Sequence, residues 1–406
     1  MATWKHWLWL STLQGVSLQL KHSLLDHFGD PEAIYYGQRE EYLLAPGMTG
    51  AAADALADKD TSGADRILED CARMGLQLLS LRDTAYPGRL RDISSAPLLL
   101  YVQGRMPLFD GEAALAMVGT RRASPYALEA GERLAGEIAG RGGLIVSGLA
   151  VGVDAAAHRG ALRSGGFTAA VIAGGHDIPY PRENRRLYED IAARGVILSE
   201  YPPGTEHMAA HFPQRNRIIS GLSVGVIVVE APRRSGALIT ASRALDQGRE
   251  VFAVPGPIYD PRCEGSNRLL EEGAHPALHA WGVLSCYANR FPQKIRAQRG
   301  DLPRRFGQNQ KTEKSARPEE PVHTPRPERR EPPERPVLVL SGDHGLTDDQ
   351  IRLVKALRGR TAQADELIEE TGIPARRALS ALTVLELDEI VTQDAGKQFS
   401  LAVTLK

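Results

Sequence analysis

The chain has 406 residues, 42% of them hydrophobic and 24% charged, with a formal net charge of −1. That length and composition support two or three domains with ample core and exclude a disordered chain; the near-zero charge gives no whole-molecule attraction to nucleic acid or membranes, so any polyanion site is local. Three cysteines, Cys71, Cys263 and Cys286, are far apart, odd in number and without a CxxC pair, which argues against a disulfide framework and a zinc site and fits a reducing cytoplasm.

The opening MATWKHWLWLSTLQGVSLQL has a short, interrupted apolar stretch without a small-residue cleavage site, which argues against a signal peptide. No run approaches the ~18 apolar residues of a spanning helix, so a soluble protein without a membrane partner is expected. Residues 1–70 read as short helices. SLQLKHSLLDHF has apolar positions at helical spacing, Gly29 stops it, and DPEAIYYG restarts with Asp30 as cap and Pro31 in the first turn. A SAM-like or helix-hairpin-helix-like module and a plain helical appendage both fit.

Residues 71–290 change to apolar strands alternating with helices. LQLLSL and PLLLYVQG read as strands at one edge. Then come ALAMVG, GLIVSG, TAAVIAG, GVILSE, VGVIVVEA and EVFAVPG, separated by helical stretches such as Ser124 to Arg141. This alternation predicts an α/β fold, a doubly wound parallel sheet of extended Rossmann-like type, with a ligand site at the carboxyl ends of its strands. Residues 291–340, including SARPEEPVHTPRPERREPPERPV, are too rich in proline and mixed charge to build a core and read as a linker. Residues 341–406 read as three helices followed by a strand, turn and strand, the pattern of a winged helix.

The strand ends carry the chemistry. Turns VGTRR, SGLAVGVD and AGGHD place glycines where backbone amides can approach a ligand and where helix starts offer unpaired N–H groups to an anion. These turns contribute Gly119, Thr120, Ser147 and Gly148. Arg121, Arg182, Arg215 and Arg217 bring guanidinium groups to the same edge, and Asn184 and Asn216 add neutral hydrogen-bonding groups. A guanidinium can hold phosphate oxygens with its planar fork and also stack on exposed bases, a combination that the point charge of a lysine does not offer. No lysine occurs between Lys59 and Lys294. Arginine is preferred throughout the chain, so placement at strand ends is the stronger signal. The expectation is a polyanion-binding edge.

MVGTRRASPYA, VSGLAVGVDAAAHRGAL, GGHDIPYPREN, FPQRNRIISGLS, VVEAPRRSGALITASRALDQGREVFAVPG and GSNRLLEEGAH resemble, in sequence and order, the DNA-processing protein A family, also called Smf. Six linked motifs between Met117 and His275 are far more specific than one glycine pattern. The resemblance implies a helical N-terminal module, an extended Rossmann core and a C-terminal winged helix. It also implies binding of single-stranded DNA, loading of the RecA recombinase onto it during natural transformation, and a homodimer. In YPREN, Arg182 stands where a lysine or arginine is expected to meet phosphate.

A Rossmann-like nucleotide hydrolase is the competing class. Its PGGxGTxxE turn supplies a catalytic glutamate, whereas the comparable turn here, PRRSGALITAS, has no carboxylate from Ser235 to Ser242. Ser235 and Gly236 can still hold phosphate. Glu200 and Glu230 lie near strand ends and are expected to orient arginines; Asp154 reads as a helix cap with His158 as its partner. No catalytic residue, cofactor or metal site is expected, and the chain is read as a binding protein and not an enzyme. In the winged helix Arg376 and Arg377 open the helix that would meet DNA, but ten acids against eight bases from Leu346 onward leave DNA contact and protein contact both open.

Overall fold

The computed structural model describes residues 3–297, 337–338, 346–388, 390–394 and 398–405. The chain divides into two compact units, Met1–Asn309 and Gln310–Lys406. Most of the proline-rich stretch read as a linker lies outside the described residues. Phe291 and Ile295 are buried in the core of the first unit, so packed chain continues past residue 290.

The first unit opens with helices Trp4–Thr12, Leu18–Phe28, Pro31–Tyr36, Arg39–Tyr42, Gly50–Ala55 and Ser62–Met74. Local chemistry sets their ends: Gly29 has φ +94°, and the Asp30 carboxylate accepts from Ala33 N at 2.9 Å. Trp7, Leu8, Leu10, Leu24 and Ile34 form their apolar core, which runs on into Leu99 and Tyr101 of the neighbouring sheet. The module is therefore seated on the sheet edge by shared apolar burial.

The nine-stranded sheet consists of β1 (Gln77–Ser80), β2 (Leu99–Gly104), β3 (Ala114–Val118), β4 (Leu144–Ser147), β5 (Thr168–Ile172), β6 (Val196–Ser199), β7 (Gly225–Val228), β8 (Glu250–Ala253) and β9 (His275–Pro276). Their order is β1-β2-β6-β5-β4-β3-β7-β8-β9. The seven strands β3 to β9 run parallel to one another; β1 and β2 extend one edge in antiparallel pairing. All six sequence-predicted core strands are present, and β9 is an addition.

Every residue of β3 is buried, because its alternate side chains pack on opposite faces. Ala114, Ala116 and Val118 meet helices His211–Gly221 and Gly236–Asp246 through Ile218, Ile219, Ala237 and Ala241. Leu115 and Met117 meet helices Pro125–Gly140 and Val153–Arg163 through Leu134, Ile138, Val153 and Ala157. Burial on both faces is why the strand reads as an unbroken apolar run. The chain winds outward from β3 to β6, then returns to lay β7 against the other side of β3. This reversal leaves a crevice at the carboxyl ends of β3 and β7, the position such folds use for ligands.

In the second unit, helices Asp348–Ala356, Ala364–Thr371 and Ala375–Leu387 pack around Leu353, Leu357, Leu367, Leu382 and Leu385. Strand Gln398–Leu401 pairs antiparallel with both Ala362–Gln363 and Val391–Asp394. This is the expected winged helix.

Candidate nucleic-acid interface

The turn after β3 is held from β7. Thr120 N donates to Glu230 O at 2.8 Å, and Ser124 N donates to Glu230 Oε1 at 3.0 Å. The Ser124 hydroxyl donates to Glu230 Oε2 at 2.5 Å while accepting from Ala127 N at 3.1 Å, which caps helix Pro125–Gly140. Glu230 is thus a buried clamp between two strand ends. It orients backbone and a cap hydroxyl, where an arginine partner was expected; Glu200 does have its arginine. The turn leaves no room for side chains: a Cβ on Gly119 would lie 2.5 Å from Val153, and Gly152 combines φ +84° with a Cβ position 2.8 Å from Arg121 O.

Arg215 lies beneath the next turn, only 4% exposed. Its Nη1 donates to Gly148 O at 2.7 Å and to Val171 O, so one guanidinium ties the ends of β4 and β5 together. Gly148 is the seat for this group, since a Cβ there would fall 2.6 Å from Cζ of Arg215. Burial lowers the Arg215 pKa to about 10, well above neutral pH, and the nearby Asp154 opposes the shift. Asp154 is buried too. It accepts from Gly148 N at 3.2 Å, and burial raises its carboxyl above the usual range. The cap of helix Val153–Arg163 is Gly152, not Asp154. His158 pairs with Thr168 through Nδ1 at 2.7 Å in place of the expected Asp154, because its helix face points at β5.

A cleft of about 380 Å³ opens above this support. Gly119, Thr120 and Arg121 line one side. Phe212, Arg215 and Asn216 of helix His211–Gly221 line the floor, and Arg234, Ser235 and Gly236 close it. Ser235 caps helix Gly236–Asp246 by accepting from Ala237 N at 3.3 Å, and Asn216 Nδ2 donates to Gly236 O at 3.3 Å. The cleft therefore presents a helix start and three exposed guanidinium groups, Arg121, Arg122 and Arg234. None of the three has an ion pair among the described residues. Cζ of Arg121 stands 4.6 Å from the Phe212 ring centroid, so part of its face is held by an aromatic surface.

Of the sequence-predicted site residues, Gly119, Thr120, Arg121, Arg215, Asn216, Ser235 and Gly236 line the cleft. Gly148 is under it. Ser147 is fully buried, its hydroxyl donating to Met117 O at 2.6 Å. Asn184 is buried and donates to Leu149 O at 2.9 Å, which steadies the β4 turn where Leu149 adopts φ +57°. Arg217 is paired with Glu200 and faces inward. Arg182 is exposed in the 182–184 turn and does not line the cleft. Sequence reasoning missed Arg122, Arg234 and Phe212. The doublets GTRR and PRRS were the available signal for the two arginines, since both guanidinium groups of the first and the second of the other line the crevice. Among the described residues no cluster of His, Cys, Asp or Glu suits a metal ion.

A doubly wound sheet whose switch-point crevice exposes guanidinium groups without ion pairs among the described residues, beside a helix start, defines an α/β protein of the extended Rossmann class with a cationic crevice. The chain belongs to the DNA-processing protein A (DprA/Smf) family: the family described as DNA recombination-mediator protein A matches residues 77–288, and the DprA winged helix domain matches residues 324–397. It is 44% identical over 209 residues to the DNA processing protein DprA of Bacillus subtilis, covering 52% of this chain and 70% of that protein. It is 34% identical over 367 residues to the protein Smf of Synechocystis, covering 87% of this chain and 91% of that one. The X-ray structure of DprA from Streptococcus pneumoniae superposes with a TM-score of 0.63 at 34% identity, covering 70% of this chain and 98% of that one.

Proposed function

We propose that this protein binds single-stranded DNA without sequence preference in the crevice between β3 and β7, and passes the strand to the RecA recombinase during natural transformation, acting as a cytoplasmic homodimer. The observation that carries the binding half is the trio Arg121, Arg122 and Arg234, exposed and without ion pairs among the described residues, around the start of helix Gly236–Asp246. Guanidinium groups beside the positive end of a helix dipole suit phosphate oxygens. Arg182, exposed on a neighbouring turn, extends the same charge. Arg215 and Arg217 support the edge from within. Family membership supports a role in DNA processing, and with it the RecA and dimer assignments. No helix among the described residues is long and apolar enough to cross a membrane.

The binding half is tested by fluorescence anisotropy with a labelled oligothymidine at several salt concentrations. Affinity should fall steeply with salt, by about 0.7 in log–log slope for each phosphate neutralised. Arg121→Ala/Arg234→Ala should weaken binding in a folded protein; unchanged affinity in that double variant would defeat the placement. Nucleotide hydrolysis measured on the same preparation separates the binding reading from the hydrolase alternative. RecA contact and dimerisation are tested by pull-down with purified recombinase and by light scattering.

A further inference from the structure

Resting on the single-strand reading above, we propose that Tyr180 is a nucleobase-stacking platform outside the phosphate cleft, backed by His207. The Tyr180 ring is stacked on His207 with centroids 5.2 Å apart and planes at 27°. It also lies 5.7 Å from Phe212, the aromatic residue that lines the cleft. Arg121, Phe212, Tyr180 and His207 thus form one continuous run of flat groups leading out of the crevice.

His207 is built as a fixed backing. Its Nε2 meets Ile178 O at 2.7 Å, and a Cβ on Gly174 would lie 2.8 Å from its ring, so glycine is what lets the imidazole settle there. Tyr180, by contrast, is 43% exposed and its hydroxyl makes no hydrogen bond among the described residues. Isolated surface aromatics are common and need no explanation. This one is stacked from below, continuous with the cleft, and followed by Arg182 and Arg186, both exposed and without ion pairs among the described residues. Met208, 55% exposed, adds a polarizable neighbour. An aromatic face bordered by cations is the arrangement that holds unpaired bases without reading their identity.

The test compares oligothymidine with an abasic strand of the same length, which keeps the phosphates and lacks the bases. The parent protein should prefer oligothymidine. Tyr180→Leu should weaken oligothymidine binding about 5- to 20-fold and leave abasic binding unchanged, whereas Tyr180→Phe should behave as the parent. Arg121→Ala should weaken both strands. If Arg121→Ala weakens both but Tyr180→Leu leaves oligothymidine affinity unchanged, or weakens both strands equally, the platform is overturned and the single-strand reading stands. If the parent binds neither strand, that reading falls and the platform with it.

Discussion

Arg217 and Glu200 meet at the carboxyl end of β6, with Nη2 of the arginine 2.6 and 2.7 Å from the two carboxylate oxygens. Their side chains are only 11% and 18% exposed, so each is the main compensation for burying the other. The Arg217 backbone carbonyl also accepts from Gln247 Nε2 at 3.1 Å. Removing the guanidinium in Arg217→Ala should cost about 3 kcal/mol, because an unpaired carboxylate is left nearly buried. Urea unfolding checks this; a variant as stable as the parent but weaker on DNA would instead assign the guanidinium to the strand.

Arg121 and Arg234 should behave in the opposite way. Both are exposed at the cleft, so alanine at either should change stability by less than about 0.5–1 kcal/mol, the larger figure covering removal of the Arg121–Phe212 stacking. DNA affinity should fall for every sequence alike, with the salt slope reduced by about 0.7 for each phosphate left without its guanidinium. Weaker binding with an unchanged salt slope would mean that these groups do not touch phosphate.

Gly148→Ala tests the seat of Arg215. The added methyl falls 2.6 Å from Cζ of a guanidinium anchored to the carbonyls of Gly148 and Val171. Destabilisation of about 1–3 kcal/mol is expected, as for other overpacked interiors. Thermal unfolding measures it, and a parent-like Tm would show that Arg215 is free to move aside.

Acid should weaken the fold before the carboxylates titrate. Burial lowers His158 to about 3 and His176 to about 4, while in the unfolded chain both have the ordinary value near 6.5. Between those values the unfolded state binds more protons, so stability falls as pH drops below about 6.5 and is fully present above it. Asp154, whose carboxyl is raised by burial, works in the opposite sense. Chemical unfolding at pH 7.5, 6 and 5 should show the loss, at up to about 1.4 kcal/mol per pH unit for each histidine. In His176→Gln the slope should be shallower; an unchanged slope would mean that His176 does not stay neutral.

A shortened chain ending after Ala297 should stay folded and keep most single-strand affinity, because it retains the buried Phe291 and Ile295 and every cleft residue. In the winged helix Arg377, at the start of the last helix, is already paired with Asp349 at 2.7 Å, which lowers the charge available for duplex contact. Loss of binding by the folded shortened chain would make the winged helix the main DNA reader.

The sequence by itself determined the periodic features. Apolar runs at strand length, glycines at strand ends, Asp30 and Gly29 as helix punctuation, and the three-helix-plus-hairpin tail are local patterns, and each element formed where its pattern lay. The same patterns put the glycine-rich turns on one edge, since a doubly wound sheet gathers its strand-end turns on one side. Only the tertiary structure decided which polar side chains face that edge. Arg215 and Arg217 stand two residues apart on one helix, and both turn inward because Gly148, Val171 and Glu200 come from strand ends 17 to 67 residues away in the chain. Arg122 and Arg234 reach the cleft because β7 returns beside β3, bringing together turns separated by more than a hundred residues. Partner choice for a buried guanidinium depends on these long-range approaches, and a spacing pattern along the chain does not record them.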